Sequence, residues 1–328
     1  MDKDKYILIT GASGFIGSGI IKYLNDLGYE NLILIDDLND DKWKNLVSKK
    51  FLDIINIEDA FSFLRANRKK ISSIIHMGAC SDTTCSDANY LLENNYRFTK
   101  DLAIFSIQNN IRFIYASSAA TYGDGKNGFD DDIENLDNLK PINMYAYSKH
   151  LFDLFAKREN LFDKIVGLKY FNVFGPNEYH KKHMSSMIYK MHNIANTGEV
   201  IKLFKSNDLK KFDHGEQKRD FIYVKDAVNF TCKFLFSPYD KAAGLFNVGS
   251  GLASSWNEMA KYLFLALKKD ANIKYIDMPN TLSDQYQNYT KASTTKLKNI
   301  FKDEFKITSM KDSINDYVNN YLLEGEMW

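Results

Sequence analysis

The chain has 328 residues, 45% of them hydrophobic, enough for a core burying roughly three quarters of the unfolded surface, which excludes whole-chain disorder. Its 43 Lys and Arg stand against 42 Asp and Glu, a net charge of +1, and this excludes the broad cationic face that a nucleic-acid partner requires. No apolar run reaches the ~18 residues of a membrane span, the N-terminus lacks a signal-peptide pattern, and the three cysteines, Cys80, Cys85 and Cys232, form no C-x-x-C pair. No disulfide framework and no metal site are therefore expected, and the expected location is cytoplasmic.

The first predicted strand, 6–10, runs into Thr10-Gly11-Ala12-Ser13-Gly14-Phe15-Ile16-Gly17 and an amphipathic helix over 15–27. In such a loop Gly11 permits the tight turn, Gly14 lets backbone N–H groups approach a pyrophosphate, and Gly17 permits close packing at the positive end of the helix dipole. An ordinary Gly-rich turn lacks this strand-to-helix setting. The second strand, 32–36, ends at Asp36, 19 residues beyond Gly17, where dinucleotide-binding folds carry an acid. Asp36 suits the ribose 2′-hydroxyl of NAD, whereas Lys42 and Lys44 offer cations for the 2′-phosphate of NADP. Charge chemistry leaves that choice open.

Strands at 73–77, 112–116 and 165–170 alternate with helical stretches at 87–108 and 145–160. This alternation predicts an α/β fold, a Rossmann-type doubly wound parallel sheet with a smaller C-terminal substrate-binding lobe. From Gly175 the alternation becomes irregular, with a strand–helix pair over 221–236, a strand at 245–248 and two late helices. The expected division is a dinucleotide domain at 1–174 and a mainly substrate-binding lobe at 175–328, with about 221–250 returning to the first domain.

Oxidation of a carbinol needs a base for the hydroxyl proton, and a tyrosinate with a lysine four residues on supplies one. The spacing places both on one helix face, where the ammonium is expected to lower the phenol pKa. Y-x-x-x-K occurs at Tyr96/Lys100, Tyr122/Lys126 and Tyr145/Lys149. Only the last opens a helix downstream of the strand end Ala116-Ser117-Ser118-Ala119-Ala120-Thr121-Tyr122-Gly123, so Tyr145, Lys149 and Ser118 are the expected catalytic set. Ala119 and Ala120 stand where sugar 4,6-dehydratases carry an acid pair, which favours epimerisation or reduction over elimination of water.

Several segments together resemble one family, the ADP-glyceromanno-heptose 6-epimerases, extended short-chain dehydrogenase/reductase enzymes of lipopolysaccharide core biosynthesis. They are His76-Met77-Gly78-Ala79-Cys80-Ser81, Asn94-Asn95-Tyr96, Tyr115 to Gly123, Tyr145-Ala146-Tyr147-Ser148-Lys149, Tyr170 to Pro176, His180-Lys181, Arg219-Asp220-Phe221 and Tyr286-Gln287. The resemblance implies epimerisation at C6″ of an ADP-heptose through a transient ketone, with Tyr145 and Lys181 as acid/bases on opposite faces of the sugar carbon. It implies cofactor contacts from Phe15, Ile16, Asp37, Lys42, Met77 to Ser81, Asn94 or Asn95, Lys149, Val173 and Lys181. Substrate contacts are implied at Asn172, His183, Lys190, Phe204, Lys205, Ser206, Asn207, Tyr286 and Arg219, the last also supported by the fit of a guanidinium to phosphate.

The resemblance further favours NADP over NAD and implies a homo-oligomer. The chain departs from the family at Lys182-His183, where Gly-Ser is usual, at Lys190, where a His is usual, and in a longer 208–218 segment. Two rivals are another nucleotide-sugar epimerase or reductase, such as a UDP-hexose 4-epimerase, and a silent dinucleotide sensor, which would have no chemical need for Ser118, Tyr145 and Lys149.

Overall fold

The computed structural model describes residues 2–279 and 286–328. Its centre is a seven-stranded, all-parallel sheet built from β1 (Tyr6–Thr10), β2 (Leu32–Ile35), β3 (Asp53–Ile55), β4 (Ile71–His76), β5 (Arg112–Ser118), β6 (Ile165–Tyr170) and β10 (Gly244–Val248). Their spatial order is β10-β6-β5-β4-β1-β2-β3. Successive side chains face opposite sides, and both sides are apolar here. In β1, Ile7 and Ile9 enter one core while Leu8 enters the other, and in β2 Leu32 and Leu34 are divided from Ile33 and Ile35 in the same way.

Helices cover both faces, as an all-parallel sheet requires. Helix α1 (Phe15–Asp26) packs with α7 (Val224–Phe236) on one face. The other face is covered by α2 (Ala60–Asn67), α4 (Phe98–Gln108) and α5 (Met144–Arg158) through Leu64, Leu102, Phe152 and Phe155. Sequence patterning located five of the seven strands to within two residues at either end and the returning strand β10 to within one, but it did not anticipate β3 or α2. With three residues, partly exposed, β3 carries too little apolar alternation to register.

The polypeptide reverses direction of travel across the sheet between β1 and β4, leaving a crevice at their carboxyl ends. Ligands of open α/β sheets bind at such a switch point. Two small sheets accompany the large one. One joins β7 (Asn172–Phe174), β9 (Lys218–Tyr223) and β11 (Ala253–Ser255), and the other pairs β8 (Ile201–Phe204) with β12 (Ile273–Ile276). The strand β10 leads from the second lobe back into the main sheet beside β6.

Candidate active site

The glycine loop fits a dinucleotide by exclusion of side chains. Gly11 is left-handed at φ +63°, and a Cβ there would lie 2.6 Å from the Gly78 backbone, while one on Gly17 would overlap the Gly11 carbonyl oxygen. Gly14 caps α1 without a side-chain bond, and the first turn holds no acid, so its N–H groups stay available to an anion. Phe15 is buried and Ile16 half-buried behind the loop. These features fit the diphosphate of a nicotinamide dinucleotide.

Asp36, 6% exposed, is held by its own loop. One carboxylate oxygen accepts from Ser13 N–H at 2.9 Å and Ser13 Oγ at 2.6 Å; the other accepts from Asp37 N–H at 2.9 Å and lies 3.6 Å from Lys42 Nζ. Lys44 pairs instead with Asp41 at 3.1 Å. At the end of β4, His76 bonds Thr10 and Thr99 through its two ring nitrogens, and Thr10 Oγ1 accepts from Gly78 N–H at 3.1 Å. Burial, reinforced by the Lys149 charge, pushes the His76 imidazole down to about 3, so it is neutral and serves to fix the crossover.

The Asn94–Asn95 pair divides its work. Asn95 is fully buried in a π-helical stretch, Leu92–Arg97, and clamps Cys80 N–H and C=O at 2.9 and 3.0 Å and Ser148 Oγ at 3.0 Å. Asn94 is half-buried and reaches Asn95 at 3.2 Å. The clamp fixes Met77 to Ser81 against α5; Met77 to Cys80 are half-buried beside the glycine loop, and Ser81 is exposed.

The three Y-x-x-x-K pairs separate cleanly. Tyr96 and Lys100 pack on Phe155 from the helix surface, and Tyr122 is buried with its hydroxyl on Asn247 while Lys126 pairs with Asp124 in solvent. Tyr145 lines a cavity of about 490 Å³ together with Ser118, Ala119, Asn172, Lys181, Arg219 and Tyr286. Asn143 caps the helix that presents Tyr145, accepting from Ala146 N–H at 2.8 Å. Of the neighbouring serines, Ser117 is turned away to Asp153 at 2.8 Å, whereas Ser118 hydrogen-bonds Tyr145.

The electrostatics differ from the sequence expectation at one point. Burial raises the Tyr145 phenol pKa, opposed by the Ser118 hydrogen bond and raised further by Cys80, and Lys149 does not lower it. The physical reason is that the Lys149 ammonium donates to the Ala116 carbonyl at 2.9 Å and is itself pushed down to about 8 by burial. Across the cavity, burial lowers the Lys181 pKa while Glu178 raises it, and its ammonium lies 5.4 Å from the Phe15 ring centre. Beneath, Asp153 and Lys169 form a fully buried pair at 2.6 Å, satisfied by Tyr115, Ser117 and Thr121, that ties α5 to β5 and β6.

At the other end of the cavity Arg219 is 7% exposed, and among the described residues it has no carboxylate partner. The neighbouring Asp220 is occupied elsewhere, accepting from Ser250, Gly251 and Ala292 backbone N–H groups. Arg219 instead faces the Tyr286 ring at 4.9 Å and donates to the Lys218 carbonyl. Phe204 meets Tyr286 edge-on at 6.3 Å, while Lys205 pairs with Asp277, Ser206 N–H donates to His214, and Asn207 accepts from Asn288.

Other expected site residues stand outside the cavity lining. His183 is exposed and pairs with Asp82 at 3.3 Å, Lys190 donates to the His183 carbonyl, and Val173 is half-buried in β7. Thr83, Thr84, Ile142 and Asn143 line the cavity without having carried any motif signal, because loop residues that form a wall have no fixed spacing. Asn45, 2% exposed, bonds Ser13 O, Asn177 O and His180 Nδ1, a link between the glycine loop and the Lys181 segment that nothing local in the sequence marks.

Comparison with known proteins agrees with this geometry. The model of the NAD dependent epimerase/dehydratase family matches residues 7–249. An ADP-L-glycero-D-manno-heptose-6-epimerase of Nitratidesulfovibrio vulgaris is 43% identical over 323 residues, covering 97% of this chain and 98% of that protein. The crystal structure of the Helicobacter pylori ADP-L-glycero-D-manno-heptose-6-epimerase superposes with a TM-score of 0.79 at 28% identity, covering 97% of each chain. A UDP-N-acetylglucosamine 4-epimerase from Methanobrevibacter ruminantium, in complex with UDP-N-acetylmuramic acid, gives 0.82 at 26% identity over 99% of this chain and 100% of that one. With its cradle, its sheet order and its full-length kinship in agreement, the chain belongs to the NAD dependent epimerase/dehydratase family and, within it, to the ADP-L-glycero-D-manno-heptose-6-epimerases.

Proposed function

We propose that the protein converts ADP-D-glycero-β-D-manno-heptose to its L-glycero epimer at C6″, for the heptose of lipopolysaccharide core, with NADP as the bound cofactor. The observation that carries this reading is one cavity lined by Ser118, Tyr145 and Lys181, with no acid at Ala119 and Ala120 and, at its far end, the Arg219 guanidinium, which has no carboxylate partner among the described residues.

A nicotinamide dinucleotide held by Gly11, Gly14, Gly17 and the Met77–Ser81 segment supplies reversible hydride acceptance when bound. Ser118 orients the C6″ oxygen, and one of Tyr145 and Lys181 takes its proton. After the ketone turns in the cavity the other residue returns a proton to the oxygen from the opposite side. The lowered pKa of Lys181 suits it to exchange a proton, since a fully exposed ammonium holds its proton too tightly near neutrality. Arg219 and Tyr286 hold the diphosphate, leaving the sugar end free to turn.

For the cofactor, Lys42 beside Asp36 supports NADP: the acid is already bonded by Ser13 and Asp37, and the ammonium offsets its charge toward a 2′-phosphate. Incubation with ADP-D-glycero-D-manno-heptose and NMR of the product tests the reaction. The expected result is the C6″ epimer without added reductant; unchanged ADP-heptose alongside turnover of UDP-glucose would favour the 4-epimerase reading. Mass spectrometry of the cofactor released on denaturation should show NADP, and NAD alone would contradict that assignment.

A further inference from the structure

Arg219 and Tyr286 face the cavity, but what holds them lies behind it. The antiparallel register sets Ser254 opposite Arg219 and Ser255 opposite Lys218, and Ser255 then caps α9 (Trp256–Leu267), so Trp256 begins the helix directly behind the pair. The Trp256 indole N–H donates to the Tyr286 hydroxyl at 2.9 Å, and its ring lies 6.0 Å from the Arg219 guanidinium and edge-on to Phe221 at 5.2 Å. Trp256 itself does not line the cavity.

Because the Tyr286 oxygen accepts from the indole, its own O–H proton remains to be donated elsewhere. The guanidinium, flanked by two aromatic rings and, among the described residues, hydrogen-bonded to the Lys218 carbonyl alone, has further N–H groups to offer a ligand. We propose that Trp256 is a positioning residue of the diphosphate subsite: its N–H orients the Tyr286 hydroxyl and its ring fixes the Arg219 fork, so that both present donors to the phosphate oxygens of a nucleotide sugar. This rests on the nucleotide-sugar reading given above.

Trp256→Phe keeps an aromatic ring and removes the N–H. With NADP saturating, the KM for the ADP-heptose should rise about 3- to 10-fold, the range for one lost hydrogen bond, while kcat stays within about twofold. Titration with ADP in the presence of NADP should change tryptophan emission in the unmodified protein and not in Trp256→Phe. In a Tyr286→Phe background the Trp256→Phe change should add nothing further to KM, since the acceptor is already gone; should Trp256→Phe fold poorly, Tyr286→Phe alone, which keeps Trp256 and breaks the same hydrogen bond, should lose the tryptophan emission change on ADP binding. An unchanged KM, an emission change that persists, or fully additive effects would overturn the assignment. If the unmodified protein neither binds ADP nor turns over the ADP-heptose, the substrate reading fails instead.

Discussion

In the proposed mechanism Tyr145 and Lys181 share the two-base chemistry, and each is placed by a different part of the chain, Tyr145 by the capped start of α5 and Lys181 by the 3-10 turn Tyr179–Met184. Tyr145→Phe and Lys181→Met should each lower kcat by about 100-fold or more, the range for loss of a general acid/base, with the melting temperature little changed. A double variant that turns over like the unmodified protein would remove both residues from the mechanism. His76 allows a stability test. Its folded pKa of about 3 lies below its ordinary value of 6.5 because burial and Lys149 disfavour the charged ring. Between those values the unfolded chain binds a proton that the folded one refuses, so the contribution of His76 to stability is level above pH 6.5 and falls as pH drops toward 3. His76→Gln should flatten that slope by about 1.4 kcal/mol per pH unit, measured by urea unfolding at pH 6 and 4.5. An unaltered slope would contradict the buried neutral imidazole.

At the scale of elements, the site depends on α5 keeping its pitch against β5 and β6. The Asp153–Lys169 pair does this from beneath, with both side chains fully buried and every partner accounted for. Asp153→Ala leaves the Lys169 ammonium unpaired in the core and should cost about 3–5 kcal/mol, read from denaturant unfolding; a loss under about 1 kcal/mol would mean the helix is held by its apolar face alone. This pair also marks where sequence reading ends. The strand β1, the glycine loop and Asp36 are local patterns, and Tyr145/Lys149 is local once its neighbours are weighed. Asp153 with Lys169, Asn45 with Ser13 and Asn177, and Trp256 with Tyr286 join residues 16 to 132 positions apart. No periodicity encodes such contacts; only the register of the sheets brings them together.

Over the whole molecule, the charge balance of +1 conceals opposed regions. Residues 179–219 hold nine Lys or Arg and four acids, whereas 124–137 hold six acids and one Lys. The cationic stretch contributes Lys181 and Arg219 to the cavity wall, while most of its other lysines lie outside it, which is why the resemblance could name Lys190 and Lys205 but only the fold could separate them from the wall. In the proposed reaction the cofactor loop lies at the switch point of the sheet, Arg219 and Tyr286 grip the diphosphate, and the reacting carbon lies between Tyr145 and Lys181. That arrangement makes a single chemical claim: hydrogen removed from C6″ is returned to the same carbon without meeting solvent. ADP-D-glycero-D-manno-heptose carrying deuterium at C6″, incubated with the protein in ordinary water and followed by NMR, tests it directly. The L-glycero product with its deuterium retained is expected; an epimer that has exchanged the label with solvent would rule out direct return of the hydride.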